Sequence, residues 1–254
     1  MSRSALECWE CRAAEAGSAS GATAAVGGSM NDASGPADAG GAGNACPPGQ
    51  RILVGEVQNA RDLGGTVLGD GRTVACDQLY RGAVLANLTA QGCDEFAALG
   101  IRTVVDLRTA SERASAPEAA CVSEQARIVL APMPIPYGMD PAAYITDLDA
   151  TGSVLAAFEV FGDPAAYPAY FHCTYGRDRS GVLAAVILLA LGATRDAVMA
   201  EYELSNAGGL VTFPDSLQAV LDEIERRGGV EAYLASAGVS ADELAALRAR
   251  LIAG

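Results

Sequence analysis

The stretch that most constrains this chain is His172-Cys173-Thr174-Tyr175-Gly176-Arg177-Asp178-Arg179-Ser180-Gly181. Ala169-Tyr170-Phe171 leads into it, and the unbroken apolar run Val182 to Leu191 follows. The lead-in reads as a buried strand and the run as a helix buried on all sides. That run is half the length a membrane span requires. A loop must therefore turn the chain between two buried elements, with a thiol at its start and a guanidinium at its end.

A free cysteine has a pKa of about 8.5, and a helix N-terminus with neighbouring cations can lower it to roughly 3.5–7.5. The spacing from Cys173 to Arg179 suffices for the backbone to wrap into a nest whose N–H groups face a bound oxyanion. Arg179, in the first helical turn, brings a planar fork that matches two phosphate oxygens. Gly176 permits the backbone conformation that a tight loop demands. Ser180 is placed to hydrogen-bond the sulfur and help it leave. The chemistry implied is phosphoryl transfer to sulfur, then hydrolysis of the cysteinyl phosphate.

The stretch resembles the signature loop of the cysteine-dependent phosphatases, the protein tyrosine and dual-specificity phosphatase superfamily. It is most similar to the atypical bacterial and fungal branch with the loop His-Cys-x-x-Gly-Lys-Asp-Arg-Thr-Gly. Asn59-Ala60-Arg61-Asp62-Leu63-Gly64-Gly65 resembles the Asn-x-Arg-Asp-Leu-Gly-Gly element of that branch. Asp106-Leu107-Arg108, followed by Glu112, resembles its Asp-Leu-Arg segment, and Leu79-Tyr80-Arg81-Gly82 and Leu204-Ser205-Asn206 are looser matches. The resemblance runs from about Val54 to the C-terminus.

It implies Cys173 as nucleophile and Arg179 as the clamp on the transition state. The general acid is expected at Asp178, which matches an aspartate inside the loop of that branch. Asp140, Asp147, Asp149 and Asp163 lie upstream as alternatives, none in a Trp-Pro-Asp setting. Thr174, Tyr175, Gly176, Arg177 and Ser180 are expected to line the substrate. Arg177 stands where the branch has lysine, and either contacts a further phosphate, as on a phosphoinositide, or faces water. His172 is expected to orient the loop, and Asn59, Arg61, Asp62, Arg81, Asp106 and Arg108 to brace it. The substrate implied is a phosphorylated protein or a phosphoinositide. A rhodanese-like sulfurtransferase and a phosphate-binding pseudophosphatase are the competing readings.

The net charge of −14 argues against a nucleic-acid partner or an anionic membrane surface. The site must then be positive locally. All 17 basic residues are arginine, and His172 is the only histidine, so a multi-histidine metal site is impossible. No metal and no cofactor is expected.

Residues 1–50 are rich in Ala, Gly and Ser and bury too little apolar surface to fold alone, which reads as a disordered leader before a catalytic domain over 51–254. Cys8-Trp9-Glu10-Cys11 within it reads as an incidental pair. No signal peptide is visible, so a cytoplasmic location is expected, with an exported protein whose leader is a spacer as the alternative. Besides Cys173 there are six cysteines, an even number, and Cys93 with Cys121 or Cys46 with Cys76 are pairs the count allows.

Ile52-Leu53-Val54 with Val57 is expected as a first strand, Thr66 to Val74 as a hairpin, and Leu79 to Arg81, Thr103 to Leu107 and Arg127 to Ala131 as further strands. Helices are expected from Thr89 to Leu99, through most of 140–161, and then as a block: Ser180–Leu191, Arg195–Ser205, Ser216–Arg227, Val230–Ala237 and Ala241–Ile252. The pattern implies an α/β fold with a mainly parallel central sheet flanked by helices and a helical C-terminal block, with its site at the carboxyl ends of the strands.

Overall fold

The computed structural model describes residues 46–134 and 140–253. The expected leader lies outside them except for its last residues, 46–50. Five strands form one sheet: β1 (Arg61–Asp62), β3 (Leu79–Gly82), β4 (Thr103–Asp106), β5 (Arg127–Leu130) and β6 (Ala169–His172). Their order is β1-β3-β6-β4-β5. Only β1 runs antiparallel; β3, β6, β4 and β5 are parallel. Short β2 (Thr73–Val74) pairs with β7 (Ile252–Ala253) in a separate two-stranded sheet that ties down the C-terminal end.

Strand alternation sorts the core into two layers. Tyr80, Val104 and Tyr170 face a smaller cluster with Val54, Leu85, Phe96, Ile101 and Val122. This side carries α1 (Ala90–Ala98) and α3 (Ala120–Gln125). Leu79, Val105 and Phe171 face the larger cluster, built from α4 (Pro141–Leu148), α5 (Thr151–Phe161), α6 (Asp178–Leu191), α7 (Arg195–Ala207), α8 (Pro214–Arg226), α9 (Val230–Ser236) and α10 (Ala241–Leu251). α6 is the axis of this layer, with every residue from Arg179 to Leu188 buried. Its apolar run is thus a core helix, as the absence of a polar face requires.

Local signals end the elements where expected. Thr89 caps α1, its hydroxyl accepting from the Gly92 N–H at 3.2 Å. Ser240 and Glu243 form a capping box on α10. The region between β4 and β5, unassigned from sequence, holds α3 and α2 (Ala110–Ser115), the latter opened by a Thr109–Glu112 capping box. One expected strand is absent. Residues 51–57 form no strand and make two isolated bridges, Arg51 to Arg61 and Val54 to Glu56. Gly55 turns the chain at φ +55°, and the Val57 N–H closes back on the Val54 carbonyl, so the segment folds on itself instead of extending.

Candidate active site

β6 lies in the middle of the sheet, between β3 and β4, and delivers His172 at its carboxyl end. α6 begins at Asp178, so residues 173–177 make the whole turn. Gly176 is required there twice over. Its φ is +69°, and a Cβ would lie 2.2 Å from the carbonyl carbon of Gly82.

Cys173 is buried, with Sγ 3.7 Å from the Ser180 hydroxyl. Among the described residues it is the one cysteine outside a disulfide; Cys46 pairs with Cys76 and Cys93 with Cys121. The N-terminus of α6 points at the same place, a position that favours negative charge.

Arg179 occupies the first turn of α6. Glu112 grips its fork bidentately, at 2.8 Å to Nη1 and 2.6 Å to Nη2. The Glu112 carboxylate also accepts from Thr174 Oγ1 at 2.5 Å and from the Thr109 N–H at 2.9 Å. Burial raises its pKa, but the hydrogen bonds from Arg179 and Thr174 outweigh it and hold the group at about 2. A loop hydroxyl and the guanidinium are thereby fixed to one carboxylate.

Arg177 is fully engaged. Its Nε and Nη2 donate to the two Asp178 oxygens at 2.8 and 3.1 Å, and its Nη1 donates to the Val211 carbonyl at 2.8 Å. The guanidinium carbon stacks 4.5 Å from the Phe213 ring centroid. In this structure the side chain pins the segment before α8 to the loop. The Tyr144 hydroxyl donates to Asp178 Oδ1 and lies 3.0 Å from the Tyr202 hydroxyl, which accepts from the Phe213 N–H at 3.1 Å. Tyr175 is 47% exposed at the rim.

The loop backbone is held from the β1–β3 side. Arg81 Nη2 donates to the carbonyls of Gly176 at 2.9 Å and Arg177 at 3.2 Å, and Asn59 Nδ2 donates to Gly176 at 2.7 Å. Behind them Glu201 of α7 accepts from Arg61 Nε at 2.7 Å and Arg81 Nη1 at 2.6 Å. All three are at most 4% exposed. Burial opposes the Glu201 charge, yet the two arginines keep its pKa low; burial also brings Arg81 down to about 10.

Asp62 stands apart from this brace. It accepts from the N–H groups of Gly64 at 2.9 Å and Asp77 at 2.7 Å, which shapes the turns around β1 instead of the loop. Arg108 pairs with Asp106 at 2.8 Å and with Glu118, under the end of β6. His172 Nδ1 lies 3.0 Å from the Cys173 carbonyl, so that nitrogen donates. Its Nε2 is 3.3 Å from Glu118 Oε1, close enough for an ion pair but out of line for a hydrogen bond. The cation that Asp106 and Glu118 face is the Arg108 guanidinium.

Sequence reasoning named Glu112 only as a residue following Arg108, and missed Glu201, Glu118, Tyr144 and Tyr202. Two buried arginines at positions 61 and 81 demand a counter-ion. Glu201 lies on the buried face of α7 with Val198, Tyr202 and Ser205, which is the signal that would have found it.

A model of the tyrosine phosphatase family matches residues 52–253. The chain belongs to that family. A protein of Cupriavidus necator carrying the name "Putative tyrosine-protein phosphatase" is 34% identical over 169 residues, which cover 59% of this chain and 61% of that one. The chain thus spans about three fifths of the length of that relative. A tyrosine-protein phosphatase of Nostoc commune is 27% identical over 221 residues, 70% of this chain and 75% of that one. Among solved structures, the core catalytic domain of the PP-IP phosphatase SIW14 from S. cerevisiae, in complex with citrate, aligns at a TM-score of 0.41 and 16% identity over 67% of this chain and 93% of that one.

Proposed function

We propose that this chain is a cysteine-dependent phosphatase that hydrolyses phosphotyrosine. The observation that carries the reading is the pairing of one buried, unbridged sulfur with one rigidly held guanidinium at the start of a core helix. Cys173 Sγ attacks phosphorus; the S–P bond forms as the P–O bond to the tyrosine breaks. The Arg179 fork and the loop N–H groups take up the charge of the three equatorial oxygens. Water then attacks the cysteinyl phosphate, and Ser180 hydrogen-bonds the departing thiolate. Thr174, Tyr175 and Gly176 form the rest of the cup, and Asn59, Arg61 and Arg81 keep it open through Glu201. Arg177 is committed to Asp178, Val211 and Phe213, which favours a single-phosphate substrate over a phosphoinositide.

The catalytic unit starts earlier than the expected residue 51, since Cys46 is bridged to Cys76 and the Gln50 carbonyl accepts from the Asp62 N–H. Among the described residues no helix is long and apolar enough to cross a membrane. Two cystine bridges in the catalytic unit support an oxidising compartment and hence the exported alternative over the cytoplasmic expectation. Thiol counting on denatured, unreduced protein from its native source checks this: the four bridged cysteines stay unreactive. If all seven cysteines react, the cytoplasmic reading stands.

The test of the activity is turnover of 4-nitrophenyl phosphate. Wild type hydrolyses it, vanadate inhibits, and Cys173→Ser falls to the uncatalysed rate. Transfer of sulfur from thiosulfate to cyanide without phosphate release would establish the sulfurtransferase. Phosphate binding without turnover would establish the pseudophosphatase.

A further inference from the structure

Arg177 belongs to the catalytic loop, yet what it holds lies outside it. Its Nη1 donates to the Val211 carbonyl at 2.8 Å, and its guanidinium carbon stacks 4.5 Å from the Phe213 ring centroid. Asp178 supplies a third grip, accepting from Nε and Nη2. A planar fork makes these contacts together, where a point charge on a flexible stem would not. The far end of this tether is residues 208–213, the connection between α7 and α8. Gly209 turns the chain there at φ +81°. α7 anchors the same stretch. Asn206 Nδ2 donates to Thr212 Oγ1 at 2.9 Å, and its Oδ1 accepts from the Thr212 N–H at 3.1 Å. The backbone around Val211 is thus tied both to α7 and to the loop, while the Val211 side chain stays 71% exposed.

Five large apolar side chains are exposed among the described residues, and two of them are Val211 and Tyr175. Single apolar residues on a surface are ordinary. These two are not scattered: Tyr175 lies in the loop, and Val211 is hydrogen-bonded to the loop residue two positions further on. The other contacts around the loop are polar or ionic, with Glu112 holding Thr174 and Arg179, and Asp178 holding Arg177. A phosphate needs only groups of that kind. An aromatic ester also brings a ring, and apolar surface beside a polar anchor is what receives one.

We propose that Val211 and Tyr175 form an apolar mouth that takes the ring of phosphotyrosine, and that Arg177 is the positioning residue that holds Val211 there. The inference rests on the phosphatase reading above. Arg179 clamps the phosphate, and the Arg177 charge is committed to the tether. The mouth separates aryl from alkyl monoesters, because a serine or threonine phosphate has no ring to bury against it. A loop that could hold any phosphate monoester thereby acquires a preference for tyrosine.

The experiment is calorimetry on the full-length Cys173→Ser protein, with phenylphosphonate and methylphosphonate as probes. Both present a phosphonate, and only one carries a ring. Phenylphosphonate binds about tenfold tighter, the gain from burying roughly 50 Å² of apolar surface. Val211→Ala cuts that ratio to about threefold, and Val211→Asp abolishes it. Arg177→Lys, which keeps the charge and loses the fork, cuts the ratio as far as Val211→Ala does. The double variant Arg177→Lys/Val211→Ala shows no further loss, because Arg177 acts through Val211. A merely structural role for Arg177 would weaken both phosphonates by the same factor and keep their ratio. That result overturns the assignment, as does an additive loss in the double variant or a ratio near one before either substitution is added. Turnover of 4-nitrophenyl phosphate by wild type separates the two readings. Ring preference without turnover means that the phosphatase reading has failed and the mouth stands; turnover without ring preference means that only the mouth has failed.

Discussion

On the β1–β3–α7 side of the loop, Arg61 and Arg81 pair with Glu201 inside the protein, and Asn59 completes the grip on Gly176. On the α4 side, Asp147 is just as deeply buried and has no hydrogen-bond partner. Both flanks bury an acidic group, but their neighbours differ. Two guanidiniums hold Glu201 charged, whereas apolar surroundings hold Asp147 neutral. A paired ion network fixes geometry and has no proton to trade. An unpaired acid adds nothing to rigidity and can change its protonation state. The fold therefore has a paired flank, the scaffold side, and an unpaired flank at Asp147.

Breaking the scaffold side gives the largest effect. Glu201→Ala leaves two buried guanidiniums without their counter-ion and costs about 3–5 kcal/mol of stability. Urea unfolding at pH 7 measures it, and kcat falls with it because Arg81 loses its anchor. The wild-type contribution has a defined pH window. Glu201 and Glu112 both have depressed folded values, so their stabilisation is complete above the unfolded value of 4.5 and is lost as pH falls through the folded ones, about 2 for Glu112. A stability loss below about 1 kcal/mol for Glu201→Ala would erase the contrast between the flanks.

The unpaired flank responds to pH with the opposite sign. Asp147 is raised from 3.8 to about 8, so its folded state binds the proton more tightly than the unfolded chain. The associated stability is complete below 3.8 and is lost as pH rises to about 8. Asp147→Asn removes this dependence. Relative to wild type, the variant gains on the order of 1 kcal/mol per pH unit between pH 5 and 8, and the gain levels off above that. Paired urea titrations across that range check the slope; parallel curves would mean that Asp147 is ionised in the fold.

Much of the scaffold side was legible in the sequence and little of the unpaired flank was. The loop string announced its strand, its turn and its helix because apolar patterning on both sides left no other arrangement. Arg61 and Arg81 are readable as bracing residues because charged residues directly beside buried strand segments need a purpose, whereas Asp106 and Arg108, expected to brace as well, pair with each other and with Glu118. Their partners are not, since Glu201 and Glu118 sit on other elements and a glutamate among helical residues looks like surface. Asp62 was grouped with the brace by its neighbours in sequence, whereas β1 turns its side chain to the Gly64 and Asp77 amides. Asp147 was one of several upstream aspartates with nothing local to single it out. Its distinction is burial, which depends on how α4 lies on α6 and appears only once the chain is folded. Arg177 looked available because its commitments to Val211 and Phe213 come from a segment more than thirty residues away.

The smallest effect belongs to ion pairs outside both flanks, and it calibrates the other two. Arg195 at the start of α7 bridges to Asp222 and, at 2.8 Å, to Glu225 on α8. By distance these contacts match those of Glu201. The difference is solvent: the Arg195 side chain is 33% exposed and its partners 64% and 75%, against 4% for Glu201. Water and salt screen the outer pairs, and their long side chains lose rotamer freedom in forming them. Arg195→Ala therefore costs at most about 1 kcal/mol in urea unfolding, and raising salt shrinks the difference. Hydrolysis of 4-nitrophenyl phosphate stays at the wild-type rate. A cost as large as that of Glu201→Ala would mean that pairing distance, and not burial, sets the strength of these bridges, and the division between the two flanks would lose its physical basis.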